Sequence, residues 1–163
     1  MTKIAFLKLV ILLFISTSVA SQKRLPNVFI EDLQRQNISV TEIVNRDGPT
    51  IISFWATWCK PCLRELNAVS SELEQWKQET NVKFVAISTD DARTKTRVPA
   101  FVKSKNWNFD VYVDTNGDLQ RSMNILSIPH TIILNKSGEI IYQHSAYALG
   151  DEAKYFEVLQ SLQ

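Results

Sequence analysis

The sequence has few cysteines, few glycines and no excess charge of either sign. Only two of its 163 residues are cysteine and four are glycine. Two cysteines cannot supply the disulfide framework of a small stapled domain. A formal net charge of +1 gives no basic surface for the backbone of a nucleic acid, so we expect no nucleic-acid partner. Hydrophobic residues make up 45% and charged residues 21%, which indicates a globular chain rather than a disordered, fibrous or multi-span membrane protein.

The most apolar segment lies near the start of the sequence. The run Leu9–Ile15 follows lysines at positions 3 and 8, and the small residues Ser18 and Ala20 come after it. This order is typical of a secretory signal peptide, so we predict that residues 1–20 are removed after Ala20. An uncleaved anchor is the alternative, although a transmembrane helix needs about 20 apolar residues. Export predicts a location in the cell envelope, and in the periplasm if the host has two membranes.

The remaining 21–163 segment has the length of one domain and alternates strand and helix patterns. The apolar run Thr50–Trp55 predicts a strand covered on both faces, and Asn81–Ser88 predicts a second one. Between them, apolar residues recur at steps of three and four, which predicts an amphipathic helix: Leu63, Leu66, Val69, Leu73 and Trp76. A strand, helix and strand in this order imply a parallel crossover. The turn at 135–138 predicts a hairpin at the far edge, so the fold class is α/β with a mixed sheet flanked by helices.

The two cysteines, Cys59 and Cys62, stand at the predicted junction between the first central strand and the helix. Pro61 fits the first helical turn, where a missing N–H costs nothing. Cys62 falls on the buried stripe, whereas Cys59 at the helix start can face solvent. The helix N-terminus should lower the pKa of Cys59, with a small contribution from Lys60, and burial should raise the pKa of Cys62. This difference suits disulfide exchange, in which Cys59 attacks a substrate disulfide and Cys62 then releases the product.

The sequence gives less support to other functions of the cysteine pair. A zinc site needs two more soft or imidazole ligands, and the histidines at 130 and 144 are not at a ligand spacing from the cysteines. We therefore expect no metal and no cofactor. A purely structural disulfide would close too short a loop to stabilise the chain much.

The segment Phe54–Cys62 resembles the active-site segment of the thioredoxin superfamily, and more closely that of its TlpA/ResA-type branch of exported thiol–disulfide oxidoreductases. The resemblance runs from about Val28 to the C-terminus. It implies a thioredoxin-like fold with a central insert between Ser88 and Val113, and reversible dithiol–disulfide exchange. The local patterns at Val28–Glu31 and Asn37–Val40 indicate two short strands joined by a polar turn, which would form an N-terminal β extension. The resemblance also implies that Ile128-Pro129 is the cis-proline loop beside the reactive cysteine, where Ile128 would offer backbone groups to a substrate segment.

The resemblance further draws attention to Glu65, three residues after Cys62, where the branch often has a glutamate. Ser53 stands where cytosolic thioredoxins usually carry a buried aspartate, and a serine cannot accept the proton in the same way. Glu65 could handle the proton of Cys62 instead, since a desolvated carboxyl can have a suitable pKa. The alternative is that Glu65 is a solvated helix residue.

Five further residues have simpler interpretations. We expect Trp55 in the core and Trp58 as an exposed rim for partner docking. His130 either tunes the thiolate or lies on a strand face, and we favour the strand face. Asp90-Asp91 indicates a solvated loop or a helix cap.

These observations predict an exported disulfide reductase that uses the Cys-Lys-Pro-Cys pair. The resemblance suggests cytochrome c precursors as clients and a membrane thiol-reductant donor as the source of electrons. Alternatives are a dithiol oxidase or isomerase, a copper-binding chaperone of related fold, a peroxidase of related fold and a non-catalytic binding module. The short cysteine spacing argues against the chaperone, and Trp58 with Cys62 fits an oxidoreductase better than a peroxidase.

Overall fold

The alternating strand and helix patterns of the sequence form one mixed sheet with helices on its faces. The computed structural model describes residues 24–163, so the predicted signal peptide at 1–20 lies outside the described residues. The strands are β1 (Phe29–Glu31), β2 (Asn37–Ser39), β3 (Thr50–Trp55), β4 (Lys83–Ser88), β5 (Asp110–Val113), β6 (His130–Leu134) and β7 (Ile140–Ser145). The α-helices are α1 (Lys60–Thr80), α2 (Val98–Lys105), α3 (Asp118–Ser122) and α4 (Asp151–Gln160).

The sheet has the strand order β2-β1-β5-β4-β3-β6-β7. Strands β3, β4 and β5 are parallel to one another, whereas β6 and β7 are antiparallel on one side and β1 and β2 on the other. Strand β3 lies between β4 and β6, and all its residues are buried. The predicted mixed sheet with a central β3 and a hairpin at one edge is confirmed.

Both faces of the sheet are covered, which explains why β3 reads as a continuous apolar run. One buried cluster joins β3 and β4 to α1 and α4, and in it Trp76 stacks on Phe156 at 5.7 Å between ring centroids. The other cluster lies under β1 and α3 and contains Ile52 and Phe54 of β3. Alternate residues of the same strand therefore anchor two different layers.

Helix α1 begins and ends where local chemistry requires it. Cys59 is its N-cap and Pro61 lies in its first turn, where no backbone N–H is needed. Asn81 ends the helix in the left-handed conformation, and its N–H donates to the carbonyl of Lys77. The predicted apolar stripe is the buried face, with Leu66, Val69, Leu73 and Trp76 all buried.

The N-terminal extension and the central insert are both present. Strands β1 and β2 form a short hairpin that pairs with β5 through Glu31 and Val113. Between β4 and β5, the insert contains α2, preceded by a 3-10 turn at Lys95–Arg97. Between residues 24 and 163, none of the helices has the length and apolarity to cross a bilayer.

Candidate active site

The loop between β3 and α1 carries the two cysteines, which form a disulfide with a Cα–Cα distance of 5.3 Å. The N–H of Cys59 donates to the carbonyl of Ala56 at 3.0 Å, and the N–H of Cys62 lies 3.3 Å from the Cys59 sulfur. Cys62 is fully buried, as expected. Cys59 is only 5% exposed, so the expectation that it faces solvent is wrong. Its sulfur is bonded to Cys62 and turned onto the first turn of α1, which takes it away from solvent.

The surroundings of the disulfide differ on its two sides. Trp58, directly before Cys59, is 65% exposed, whereas Trp55 is buried against the rings of Phe101 and Trp107 in the insert. The buried position of Trp55 and the exposure of Trp58 are confirmed, whereas the docking role of Trp58 stays a prediction. Lys60 is exposed and Pro61 half-buried. The disulfide therefore has an exposed aromatic side chain next to it and a packed aromatic cluster behind it.

The Ile128-Pro129 loop lies at the same end of the sheet as the disulfide. Its peptide bond is cis, as the resemblance implied. Strand β6 starts directly after it, and His130 pairs with Phe54 near the end of β3. Ile128 packs against the cluster that contains both cysteines, and the Pro129 carbonyl accepts a hydrogen bond from the N–H of Ala146 at 2.9 Å.

His130 lies on the strand face. Its Nδ1 is 2.8 Å from the hydroxyl of Ser145 on β7, and its ring meets Phe54 edge-on at 6.4 Å between centroids. These contacts agree with the interpretation that we favoured from the sequence.

Glu65 is fully buried, so the alternative of a solvated helix residue is wrong. Three hydroxyl groups donate to its carboxyl: Thr131 and Tyr155 to Oε1, each at 2.7 Å, and Ser53 to Oε2 at 2.8 Å. Ser53 and Thr131 are directly opposite each other in the antiparallel β3–β6 pair, so their side chains project from the same face of the sheet. We call Glu65 with these three hydroxyl groups the hydroxyl cage.

Burial raises the pKa of Glu65 above its ordinary value, because a buried carboxylate loses its hydration. The hydrogen bonds of the cage, that of Thr131 first, lower this pKa again, as does an electrostatic interaction with His144. Tyr155 comes from α4 and keeps its proton, since burial and the nearby Glu65 raise its pKa far above the ordinary value. The net result is a buried carboxyl with a raised pKa on the same helix as Cys62, three residues further along.

Asp90 is not the solvated residue that the sequence indicated. It is fully buried just beyond β4, and it accepts hydrogen bonds from the Thr57 N–H at 2.8 Å and the Thr57 hydroxyl at 2.7 Å. The Ser88 hydroxyl donates to it as well, at 2.8 Å. The sequence interpretation failed because Thr57, 33 residues earlier, covers this carboxyl. Asp91 next to it does cap a turn, accepting from the N–H groups of Arg93 and Thr94.

Within residues 24–163, no three His, Cys, Asp or Glu side chains come together in an arrangement that could hold a metal ion. What the site does contain is a disulfide, a buried carboxyl in a hydroxyl cage, a cis-proline loop and an exposed tryptophan. This set, on this sheet, defines a thioredoxin-like protein whose chemistry is dithiol–disulfide exchange.

Comparison with known proteins identifies the family. Residues 21–143 match the AhpC/TSA family, and the chain belongs to it. The chain is 30% identical over 121 residues to the sporulation thiol-disulfide oxidoreductase A of Bacillus subtilis, an alignment that covers 73% of this chain and 71% of that protein. It is 27% identical to the thiol-disulfide oxidoreductase ResA of Bacillus thuringiensis, with 74% and 67% of the two chains covered.

A solved structure agrees with this relationship. The solution structure of an uncharacterized thioredoxin-like protein from Porphyromonas gingivalis matches with a TM-score of 0.76 and 36% identity, over 85% of this chain and 90% of that one. The fold, the cysteine pair and these relatives together make the chain an enzyme of the thiol–disulfide oxidoreductase class.

Proposed function

We propose that the protein is an exported reductase of client disulfides, in which Cys59 and Cys62 are the catalytic residues. The observation that carries this proposal is the placing of the pair at the start of α1, one turn before the buried carboxyl of Glu65. A disulfide at a helix N-terminus is reducible to a thiolate that the backbone N–H groups stabilise. A nearby carboxyl whose pKa is raised by burial can exchange a proton with a thiol.

In the proposed cycle, the reduced Cys59 thiolate attacks one sulfur of the client disulfide and expels the other as a thiolate. The resulting mixed disulfide is attacked by Cys62, which forms the Cys59–Cys62 bond and expels the second client thiolate. Two electrons pass to the client, and the chain ends in the oxidised state, with the disulfide seen here.

Glu65 is proposed to take the proton of the Cys62 thiol as that sulfur attacks. Residues three apart on a helix lie on the same side, so the carboxyl and the thiol face the same buried region. Burial disfavours the Cys62 thiolate, and a nearby proton acceptor removes that obstacle during the second step.

The docking of clients is proposed to involve Trp58 and the loop of Ile128 and Pro129, with Lys60 and Pro61 shaping the start of α1. Trp58 supports this role through its exposure next to Cys59. Backbone groups of Ile128 would pair with an extended client segment as a short added strand. Cytochrome c precursors are the proposed clients, because their haem-binding cysteines must be reduced before attachment.

The proposed site of action is the cell envelope, reached through a signal peptide at residues 1–20. If that segment remains uncleaved, it would anchor the domain to the membrane. Every turn of the cycle leaves the protein oxidised, so it needs a supply of electrons on that side of the membrane. A membrane thiol-reductant donor is the proposed source.

The test is the redox equilibrium of the purified chain against glutathione, with Cys59→Ser as the control that cannot form the disulfide. We expect a reduction potential near that of thioredoxin, about −270 mV, as a reductant requires. A potential near −120 mV would make the protein an oxidant and overturn the proposed direction. The absence of any reversible transition would overturn the redox role of the cysteine pair.

A further inference from the structure

Asp90 has no part in the cycle proposed above, yet it is a fully buried carboxyl tied to the disulfide loop. It contacts Thr57 twice, once through the backbone N–H and once through the hydroxyl, and these two bonds end on different carboxyl oxygens. Both bonds are short, at 2.8 and 2.7 Å. Two bonds to one residue fix its position and its orientation, which a single bond would not do.

The carboxyl is itself held in place by the end of β4. The Ser88 hydroxyl donates to Asp90, and the Asp90 N–H donates back to the Ser88 oxygen at 3.0 Å. Thr89 also reaches the disulfide side, because its N–H donates to the carbonyl of Trp55 at 2.7 Å. The segment 88–90 is therefore hydrogen-bonded to the segment 55–57, immediately before the cysteines.

The hydrogen bonds from segment 88–90 act on Cys59 through one short turn. Thr57 lies two residues before Cys59, whose N–H donates to the carbonyl of Ala56. Cys59 is the N-cap of α1, and an N-terminal position stabilises a thiolate only while the sulfur stays near the free N–H groups. When the disulfide is reduced, the bond to Cys62 no longer holds that sulfur, so the preceding loop must do so.

We propose that Asp90 is a positioning residue for the redox reaction: through its two bonds to Thr57 it holds the reduced Cys59 sulfur at the first turn of α1 and so sets its reactivity. This inference rests on the proposed role of Cys59 as the attacking residue. It adds a specific part for Asp90 in the loop after β4, which contacts the segment before the cysteines through Thr57.

The test measures the alkylation rate of Cys59 by iodoacetamide between pH 5 and pH 9, in the reduced full-length chain. We expect Thr57→Val, which removes the hydroxyl donor at nearly constant volume, to lower the rate at pH 7 about tenfold. Asp90→Asn should slow it in the same direction, and the pH at half-maximal rate should rise in both variants. Thr57→Ser keeps the hydroxyl and should restore the rate of the unmodified chain.

The matched control is Asp114→Asn, which changes another buried carboxyl with no side-chain bond to the disulfide loop. Its alkylation profile should stay within about twofold of the unmodified chain. Thr57→Val with an unchanged profile but lower thermal stability would make the contact purely structural and overturn the proposal. A higher alkylation rate in Asp90→Asn together with an unchanged rate in Thr57→Val would also overturn the proposal. The carboxyl of Asp90 would then act on Cys59 through its charge.

Failure of this proposal is distinguishable from failure of the proposed function. The alkylation rate is read on the reduced thiol alone and needs neither client nor electron donor. An unmodified chain that shows no reversible transition against glutathione would remove the proposed function. A normal transition with alkylation profiles that Thr57→Val and Asp90→Asn leave unchanged would remove only the role of Asp90.

Discussion

Two buried carboxyls, Glu65 and Asp114, have raised pKa values for the same primary reason, which is burial, but they are held by different donors. Glu65 is surrounded by hydroxyl groups from β3, β6 and α4. Asp114 follows β5 and accepts from the backbone N–H groups of Leu119 at 3.2 Å and Gln120 at 2.8 Å, in the first turn of α3.

The difference between these donors decides what each carboxyl can do. A hydroxyl group both donates and accepts, so the hydroxyl cage can rearrange around a neutral or a charged Glu65. A backbone N–H only donates, so a protonated Asp114 would lose part of its bonding to α3. The same burial therefore suits Glu65 to a change of protonation state and Asp114 to holding a turn.

The largest expected effect that separates the two is on the rate of disulfide exchange. Glu65→Gln keeps the shape of the side chain and removes its proton-accepting capacity, so we expect the rate to fall about 100-fold, as for loss of a general base. The measurement is a single-turnover reduction of a disulfide-containing peptide by the reduced chain, followed from pH 6 to pH 8. Asp114→Asn should leave this rate within about twofold of that of the unmodified chain. Equal losses of rate in both variants would contradict the proposed difference between the two carboxyls.

The second and smaller expected effect is on the pH dependence of the free energy of unfolding. The pKa of Glu65 is raised on folding, so the folded state binds its proton more tightly than the unfolded state. The free energy of unfolding should therefore fall as pH rises from the ordinary value of 4.5 through the raised pKa. Glu65→Gln should remove the Glu65 contribution to this fall and leave that of Asp114, whose pKa burial also raises. Urea unfolding of the oxidised chain at several pH values will measure the difference.

Asp114→Asn should change the same curves differently. The amide leaves one N–H of α3 without its acceptor, which costs about 1 kcal/mol at neutral pH. The stability of Asp114→Asn should thus lie below that of the unmodified chain at pH 7. The stability of Glu65→Gln at the same pH should be equal to or higher than that of the unmodified chain. Identical shifts in the two variants would mean that the nature of the donors makes no difference.

Local sequence patterns predict the sheet, α1 and the disulfide loop well. Thr50–Trp55 is apolar on both faces, the cysteines follow at once, and the stripe of α1 repeats at helical spacing. The short strands of the β extension also follow from local patterns, whereas the insert comes from the resemblance to a family. The cleavable segment at 1–20 stays a prediction.

The partners of Glu65 and Asp90 are beyond such patterns, because they join residues that are far apart in the chain. Tyr155 is 90 residues from Glu65, and Asp90 is 33 from Thr57. A weak signal did exist, since Ser53 and Thr131 are polar residues inside largely apolar, buried strands. Buried polar groups need hydrogen-bond partners, so such positions point to a polar group behind the sheet, although not to which one.

The smallest expected effect concerns a single donor of the hydroxyl cage. Tyr155→Phe removes one of the two bonds to Glu65 Oε1 and leaves that of Thr131, and the ring can keep its packing against Tyr142 and His144. Loss of one such bond costs about 1 kcal/mol, so we expect the exchange rate at pH 7 to fall about fivefold. The bond lowers the pKa of Glu65, so its loss should raise that pKa further and move the pH at half-maximal rate upward.

The matched control for this change is Tyr147→Phe. The Tyr147 hydroxyl donates to Glu152 on α4 at 2.6 Å and makes no hydrogen bond to Glu65. Both variants lose one phenol hydroxyl beside the same helix, so general effects on α4 should appear in both. An upward shift of the pH profile in Tyr155→Phe alone would assign it to the hydroxyl cage. The same shift in both variants would assign it to the packing of α4. The hydrogen bond from Tyr155 would then have no measurable effect on the pKa of Glu65.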